Sequence, residues 1–129
     1  MYRILLIEDD PILRKLVQRS LSGEGYECMV AASARDGMRS CLRDKPDLVV
    51  LDVHLPDDNG IEVCRKIKAD EAIRHIPVLI MTGEASAVEF RVEGIEAGAE
   101  DYILKPFELP EFISRVRGIL KLSSRPSGS

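Results

Sequence analysis

The sequence predicts an α/β fold in which a mainly parallel sheet carries helices on both faces. Five short apolar runs recur along the 129 residues, and the stretches between them have the apolar spacing of amphipathic helices. Regular alternation of strand and helix favours parallel strands joined by crossover helices, in one compact domain. The predicted strands are residues 4–7, 26–30, 48–51, 78–81 and 102–104.

The composition of these runs predicts which strands are central. The runs at 4–7, 48–51 and 78–81 are continuously aliphatic, which is typical of parallel strands covered on both faces. The runs at 26–30 and 102–104 are more mixed in polarity. We therefore expect the second and fifth strands to form the edges.

The first two helices have recognisable ends. Asp10 followed by Pro11 predicts the start of the first helix, which should end near Gly23. Ser33 and Asp36 have capping-box spacing and predict the start of the second. The apolar residues expected to face the core are Ile12, Leu13, Leu16, Val17 and Leu21 in the first helix, and Ala34, Met38, Cys41 and Leu42 in the second.

The remaining three helices are predicted from spacing and from capping residues. The third covers about 59–68, the fourth begins at the capping pair Ser86 and Glu89 and ends near Gly98, and the fifth begins at about Glu108. Their apolar residues are Ile61, Cys64 and Ile67 in the third helix, Phe90 and Ile95 in the fourth, and Leu109, Phe112, Ile113, Val116, Ile119 and Leu120 in the fifth.

We predict one domain over residues 1–122. Residues 123–129 are rich in Ser with Pro and Gly, so we expect a disordered tail or the remnant of a linker. No apolar run reaches the length of about 18 residues typical of a membrane span, and the opening strand leads directly into acidic residues, unlike a signal peptide. These features favour a cytoplasmic protein.

The charge distribution argues against an electrostatic grip on nucleic acid or on an anionic membrane. Lys and Arg number 18 against 22 Asp and Glu, which gives a formal net charge of −4, and the two signs are interspersed. Direct contact with DNA would require another domain.

Four polar residues stand at the ends of predicted strands: Asp9, Asp52, Thr82 and Lys105. The carboxyl ends of parallel strands share one rim, where open α/β sheets bind ligands, so these groups should converge. Two carboxylates suit Mg²⁺, and an ammonium and a hydroxyl suit phosphoryl oxygens. Asp52 ends a buried strand, where an acid is seldom placed without a partner, and is the best candidate for a nucleophile that accepts a phosphoryl group.

Two of these four residues, and the neighbouring Asp10, also have ordinary structural explanations. Asp10 caps a helix, Lys105 could be a surface lysine, and Thr82 could be a hydroxyl at a strand end. Helix capping does not explain Glu8 and Asp9. Adjacent acidic side chains repel one another unless a positive charge lies nearby. The four strand-end residues together therefore indicate more than any one does.

The motifs ILLIEDD, LVVLDVHLPDDNGIE, VLIMTG and YILKPFE, in this order and spacing, resemble the receiver domain of two-component response regulators over residues 3 to about 121. The resemblance implies a flavodoxin-like, doubly wound sheet of five parallel strands, in the order 2-1-3-4-5, with five helices. It implies a phosphorelay switch in which Asp52 accepts phosphate from a sensor histidine kinase or a histidine phosphotransfer protein. The resulting conformational change would alter binding of a downstream effector.

The resemblance also implies a Mg²⁺ site. Asp9 and Asp52 would bind the ion directly with the backbone carbonyl of His54, and Glu8 would bind it through water. No other cofactor is expected.

By the same resemblance, Thr82 and Lys105 contact the phosphoryl group, and the Lys105–Pro106 peptide is cis. Tyr102 corresponds to an aromatic switch residue that turns inward when Thr82 moves toward phosphate. An ordinary aromatic residue on an edge strand is the alternative.

His54 and Glu84 flank the predicted site at positions where the family tunes hydrolysis of the acyl phosphate. Glu84 could repel phosphodonors or orient a water, and the sequence does not decide between these. The protein would catalyse its own phosphorylation and dephosphorylation, without independent turnover of a substrate. Homodimer formation on phosphorylation is common in the family, and the sequence does not determine whether this protein forms a dimer.

Two other classes of protein compete with this interpretation. A haloacid dehalogenase-type phosphatase also forms an aspartyl phosphate, but needs a second Asp where this chain has His54. A pure binding module is the second alternative. A receiver that no longer takes phosphate would be expected to lack a key residue, yet all are present. A flavin protein would need a phosphate-binding loop after the first strand, where this chain has the acidic residues EDD. A stand-alone regulator and an isolated receiver of a larger regulator or hybrid kinase remain open.

Overall fold

A computed structural model describes residues 1–83 and 87–123 of the chain, with the backbone alone for residues 87–91. Strands and helices alternate through these ranges, as the sequence predicts. The elements are β1 (Arg3–Ile7), α1 (Pro11–Gly23), β2 (Glu27–Ala31), α2 (Ala34–Asp44), β3 (Leu48–Asp52), α3 (Gly60–Ala69), β4 (Val78–Gly83), α4 (Ala87–Glu96), β5 (Asp101–Lys105) and α5 (Leu109–Ser123).

The strands form one parallel sheet in the order β2-β1-β3-β4-β5. This order confirms the flavodoxin-like topology, with the three aliphatic strands at the centre. The register aligns the carboxyl ends of the strands, because Ile7 pairs with Leu51, Asp52 with Met81, and Gly83 with Lys105. The loops that follow β1, β3, β4 and β5 therefore start at the same rim.

Two apolar layers cover the two faces of the sheet. Successive strand residues point to opposite faces, so Ile4 and Leu6 of β1 belong to one layer and Leu5 and Ile7 to the other. The first layer is completed by α1 and α5, and the second by α2 and α3, with α4 packed beside α3. The fully buried helical residues that fill these layers are Val17, Leu21, Cys41, Ile61, Val63, Cys64, Ile67, Phe112 and Val116.

The predicted helix starts are confirmed where the structure describes them. The Asp10 carboxylate accepts a hydrogen bond from the amide of Ile12 at 3.0 Å, with Pro11 as the first residue of α1. The Ser33 hydroxyl accepts from the amide of Asp36 at 3.2 Å at the start of α2. Ser86, half of the predicted cap of α4, lies outside the described residues, as does the side chain of Phe90.

Several apolar residues expected in the core are exposed instead. Ile12 and Leu16 in α1 are 80% and 48% exposed, and Leu42 in α2 is 42% exposed. The prediction of wholly buried apolar faces is wrong at these positions, because each helix buries only the stripe that meets the sheet and its neighbouring helix. Ile95 in α4 is likewise 61% exposed.

The amino-terminal rim of the sheet carries a small cavity far from the loops described above. Tyr2, Asp47, Pro77 and Leu120 line it together with Ser123, the last residue of α5. The predicted tail covers residues 123–129, of which Ser123 belongs to α5 and residues 124–129 lie outside the described residues. No helix in residues 1–83 and 87–123 combines the length and apolar character needed to cross a bilayer.

Candidate functional site

Lys105 joins two buried carboxylates at the carboxyl rim of the sheet. Its Nζ donates hydrogen bonds to Oε1 of Glu8 at 2.8 Å and to Oδ2 of Asp52 at 2.9 Å. Glu8 is fully buried and Asp52 is 5% exposed. A buried carboxylate is unfavourable without a charged or hydrogen-bonding partner, and one ammonium group serves both.

The three acids that end β1 and β3 form one cluster. Glu8, Asp9 and Asp52 each offer a carboxylate oxygen, and these oxygens lie within 4.8 Å of one another. Glu8 and Asp52 are buried, whereas Asp9 is exposed at the mouth of the site. Closely spaced carboxylate oxygens that remain open to water on one side suit a small, hard cation that keeps part of its hydration shell.

Arg14 holds the loop that presents these acids. Its Nη1 donates to the backbone carbonyl of Glu8 at 3.0 Å and to that of Asp9 at 3.4 Å. The amide of Asp10 donates to Oε2 of Glu8 at 3.1 Å. Sequence reasoning missed Arg14, and its signal was a basic residue one helical turn after the capping Asp10.

The loop from β3 to α3 folds back onto Asp52. The amide of His54 donates to Oδ1 of Asp52 at 3.3 Å, and His54 pairs with Asn59 in an antiparallel bridge. The amide of Gly60 donates to the carbonyl of Val53 at 2.7 Å. A Cβ atom at Gly60 would lie 2.1 Å from the Asp52 carbonyl oxygen, so only glycine allows this close return.

We expect Gly60→Ala to destabilise the protein by about 2–3 kcal/mol, because the added methyl group collides with backbone that cannot move without displacing Asp52. Urea unfolding followed by circular dichroism measures this change. The matched control is Gly118→Ala in α5, where a Cβ meets nothing within 4 Å. That substitution should stabilise the protein by about 0.5–1 kcal/mol, and an equal loss in both variants would contradict the proposed contact.

Glu8 has an unusual affinity for its proton. Burial raises its pKa from 4.5 to about 7, against the opposing effect of the Lys105 hydrogen bond, and the nearby Asp52 charge raises it further. Burial alone would lower the pKa of Lys105, but its bonds to the two carboxylates outweigh this, and the pKa lies above the ordinary value. Lys105 therefore stays protonated while Glu8 titrates near neutral pH.

This shift predicts a pH dependence of stability when no divalent cation is present. Between pH 4.5 and about 7 the folded protein keeps a proton on Glu8 that the unfolded chain releases. The free energy of unfolding therefore falls as pH rises, by at most about 1.4 kcal/mol per pH unit from this group. Urea unfolding in EDTA across this window should show the fall in the wild type relative to Glu8→Gln, and parallel curves would contradict it.

Thr82 contributes a buried hydroxyl at the end of β4. The residue is fully buried, and its Oγ1 has no hydrogen-bond partner among the described residues. Buried hydroxyl groups are normally paired, so an unpaired one at a ligand-facing rim is a candidate donor to a bound group. This is the observation about Thr82 that sequence reasoning alone did not provide.

We expect Thr82→Val to raise the free energy of unfolding by about 1 kcal/mol, because the methyl group replaces a desolvated hydroxyl of similar size. Thr82→Ser keeps the hydroxyl and should show no such gain. Thermal or urea unfolding distinguishes the two variants. A loss of stability in Thr82→Val would mean that the hydroxyl already has a partner.

Three further predicted features lie within or just after strands β3 and β5. The Lys105–Pro106 peptide is cis, as the resemblance implies. Tyr102 is half-buried on β5 and packs against the apolar layer that includes α3, while the side chain of His54 is exposed. Glu84 lies outside the described residues.

An apolar groove adjoins the mouth of the site, between the start of α1 and the loop after β5. Its polar rim is formed by Asp10 and Lys105. Its apolar lining consists of Ile12, Leu13, Leu16, Pro106, Phe107 and Leu109. The exposed apolar residues of α1, Ile12 and Leu16, therefore share a surface with Lys105, which is the hydrogen-bond partner of Asp52.

Comparison with known proteins identifies the family to which this chain belongs. The family model described as "Response regulator receiver domain" matches residues 4–117. The chain belongs to the receiver domain family of two-component response regulators. The flavodoxin-like strand order and the position of the acidic cluster agree with this membership.

Curated relatives of this receiver domain are longer response regulators. The chain is 39% identical over 127 residues to "Response regulator MprA" of Mycolicibacterium vanbaalenii, covering 98% of this chain and 54% of the relative. It is 37% identical over 125 residues to "DNA-binding dual master transcriptional regulator RpaA" of Synechocystis sp., covering 97% and 52%. The receiver domain thus spans about half the length of these relatives.

Solved structures show the same fold. The signal receiver domain of a signal transduction histidine kinase from Syntrophus aciditrophicus superposes with a TM-score of 0.90 at 29% identity, covering 100% of this chain and 97% of that chain. Chemotaxis response regulator CheY4 of Vibrio cholerae gives 0.86 at 26% identity, covering 92% and 98%. Similar receivers therefore occur in a chemotaxis response regulator and in a histidine kinase.

Proposed function

We propose that this receiver domain is a Mg²⁺-dependent phosphoacceptor switch, in which Asp52 takes a phosphoryl group from a phosphohistidine. The donor would be a sensor histidine kinase or a histidine phosphotransfer protein in the cytoplasm. The observation that carries the proposal is the nearly buried Asp52 carboxylate, held 2.9 Å from the Lys105 ammonium and beside two further acids.

The acidic cluster would supply the ligands for the ion. Asp9, Asp52 and the backbone carbonyl of His54 would bind Mg²⁺ directly, and Glu8 would bind it through water. The donor set consists of hard oxygens with room for water, which is what Mg²⁺ prefers. When bound, the ion would offset the negative charge of the phosphoryl oxygens.

The transfer step then uses residues of this chain. One carboxylate oxygen of Asp52 attacks the phosphorus in line with the departing imidazole nitrogen. An oxygen–phosphorus bond forms while the nitrogen–phosphorus bond breaks, and its electron pair remains on the imidazole, which takes up a proton. The Lys105 ammonium turns from the carboxylates to a phosphoryl oxygen, where it stabilises charge as transfer proceeds.

The phosphorylated state would differ from the resting state by about −2 charges at one point of the rim. The unpaired Thr82 hydroxyl would donate to a phosphoryl oxygen, and Tyr102 would turn inward into the space that Thr82 leaves. These movements shift the equilibrium between two packing arrangements of α4, β5 and α5. The shift alters a surface that binds a downstream effector. Homodimer formation through the same elements would be another output, and His54 and Glu84 would tune the lifetime of the acyl phosphate.

The apolar groove supports a protein as the phosphodonor. Ile12 and Leu16 are exposed beside the mouth of the site, and a partner that covers them would bring its phosphohistidine toward Asp52. Contiguous exposed apolar residues typically mark an interaction surface. The effector, by contrast, could be a separate protein or a domain of a longer chain, as in the DNA-binding relatives.

Phosphorylation with a small donor tests the proposal. Purified protein is incubated with Mg²⁺ and acetyl phosphate or phosphoramidate, and its intact mass is measured. We expect one added phosphoryl group that hydroxylamine removes and EDTA prevents. Unmodified mass, combined with no binding of beryllofluoride as a stable mimic, would refute the proposal, and steady turnover of a phosphomonoester would favour a phosphatase.

A further inference from the structure

We propose that Asp57 is a positioning residue for the phosphoacceptor site, because it ties the β3–α3 loop to the amino end of α2. The inference rests on the proposed function, in which this loop supplies the His54 carbonyl to Mg²⁺. Asp57 itself is exposed and is not a member of the acidic cluster of Glu8, Asp9 and Asp52. Its action on the site would therefore pass through the loop backbone.

The Asp57 carboxylate caps a helix that begins more than twenty positions earlier in the chain. Its Oδ1 accepts from the amide of Ala34 at 2.8 Å, and its Oδ2 accepts from the amide of Arg35 at 3.0 Å. The amides in the first turn of a helix have no partner within the helix. Ser33 satisfies only the amide of Asp36, so the first two amides of α2 depend on Asp57.

The electrostatics of this contact favour a carboxylate. The amino end of a helix carries partial positive charge, which stabilises an anion there. The hydrogen bonds from the backbone amides of Arg35 and Ala34 accordingly hold the pKa of Asp57 below its ordinary value. Both oxygens of the carboxylate accept hydrogen bonds, so the contact fixes the orientation of the loop relative to α2 as well as its distance from the helix.

The same loop is closed at its base on Asp52. The amide of His54 contacts the Asp52 carboxylate, the bridge between His54 and Asn59 closes the loop, and Gly60 lies against the Asp52 carbonyl. Only a few residues separate the tip from the base. If the tip is released from α2, the loop that carries the proposed carbonyl ligand loses its hydrogen bonds to that helix.

Neighbouring residues provide matched controls. Asp58, the adjacent acid, contacts Lys66 and the amide of Asn59 rather than α2. Asp58→Ala therefore removes the same charge from the same loop without releasing the tip from α2. Ser33→Ala weakens the start of α2 without touching the loop.

The test is the affinity of the unphosphorylated protein for Mg²⁺, measured by calorimetry at a temperature where circular dichroism shows every variant folded. We expect Asp57→Ala to weaken Mg²⁺ binding about tenfold or more, as losing a residue that orients metal ligands typically does. Asp57→Asn keeps oxygen for one amide, so its affinity should lie between Asp57→Ala and the wild type. Asp58→Ala and Ser33→Ala should bind Mg²⁺ as the wild type does.

Two outcomes would overturn the inference while leaving the proposed function intact. One is wild-type affinity in Asp57→Ala, and the other is an equal loss in Ser33→Ala, which would reduce Asp57 to a determinant of helix stability. Failure of the wild type itself to bind Mg²⁺ would instead refute the proposed function. If Asp57→Ala does not fold, Asp57→Asn decides the question by the same comparison.

Discussion

Asp52→Asn is expected to abolish phosphorylation of the receiver domain by acetyl phosphate in the presence of Mg²⁺. The amide has nearly the same shape as the carboxylate but is a very poor nucleophile, so the acyl phosphate does not form. The side chain keeps a single acceptor oxygen, so it retains one of the two contacts that Asp52 makes, either with Lys105 or with the His54 amide. Intact mass measurement should therefore show no added phosphoryl group.

Asp58→Asn is the control for this experiment. Asp58 lies on the loop that follows Asp52 but pairs with Lys66 at 3.1 Å, away from the acidic cluster. This variant should be phosphorylated like the wild type. A modification of the expected mass that persists in Asp52→Asn would mean that another residue is the acceptor, and the assignment of Asp52 would be wrong.

Lys105→Met should impair both function and stability. The thioether fills similar space but leaves Glu8 and Asp52 buried without their shared ammonium. Breaking a buried ion pair by removing one partner costs about 3–5 kcal/mol, and we expect a loss near the lower value, because Glu8 can take up a proton. Losing the positive charge at the phosphoryl oxygens should slow phosphorylation by about 10²-fold or more.

The stability loss should depend on conditions in a way that identifies its cause. It should shrink as pH falls and Glu8 becomes neutral, and it should shrink when Mg²⁺ supplies positive charge to the same carboxylates. Lys66→Met is the control, because its exposed pair with Asp58 is worth about 1 kcal/mol at most. A pH-independent loss in Lys105→Met would show that packing, rather than unpaired charge, limits stability.

The sequence predicted the architecture well because its signals are local and periodic. Continuous aliphatic runs identified β1, β3 and β4 as the central strands, and capping residues such as Asp10 and Ser33 marked helix starts. Convergence of Asp52 and Lys105 followed from a general rule, since the carboxyl ends of parallel strands share one rim. The roles of Thr82 and Tyr102 remain predictions.

Features that depend on packing between distant segments were beyond reach of the sequence. Ile12 and Leu16 have the spacing of core residues. They are exposed because the stripe of α1 that packs against the sheet and the neighbouring helix does not include them. Asp57 is one acid in a polar loop, and its bond to the Ala34 amide exists because two loops meet in space. The need for glycine at position 60 likewise appears only when the Asp52 carbonyl is in place.

The cavity at the amino-terminal rim has a bearing on how a signal leaves the domain. A five-residue parallel strand spans about 16 Å, so Ser123 lies roughly one strand length from Asp52, the proposed phosphoryl acceptor. Anything joined to the end of α5 would thus lie out of contact with a phosphoryl group on Asp52 and would respond to displacement of the helix that carries it.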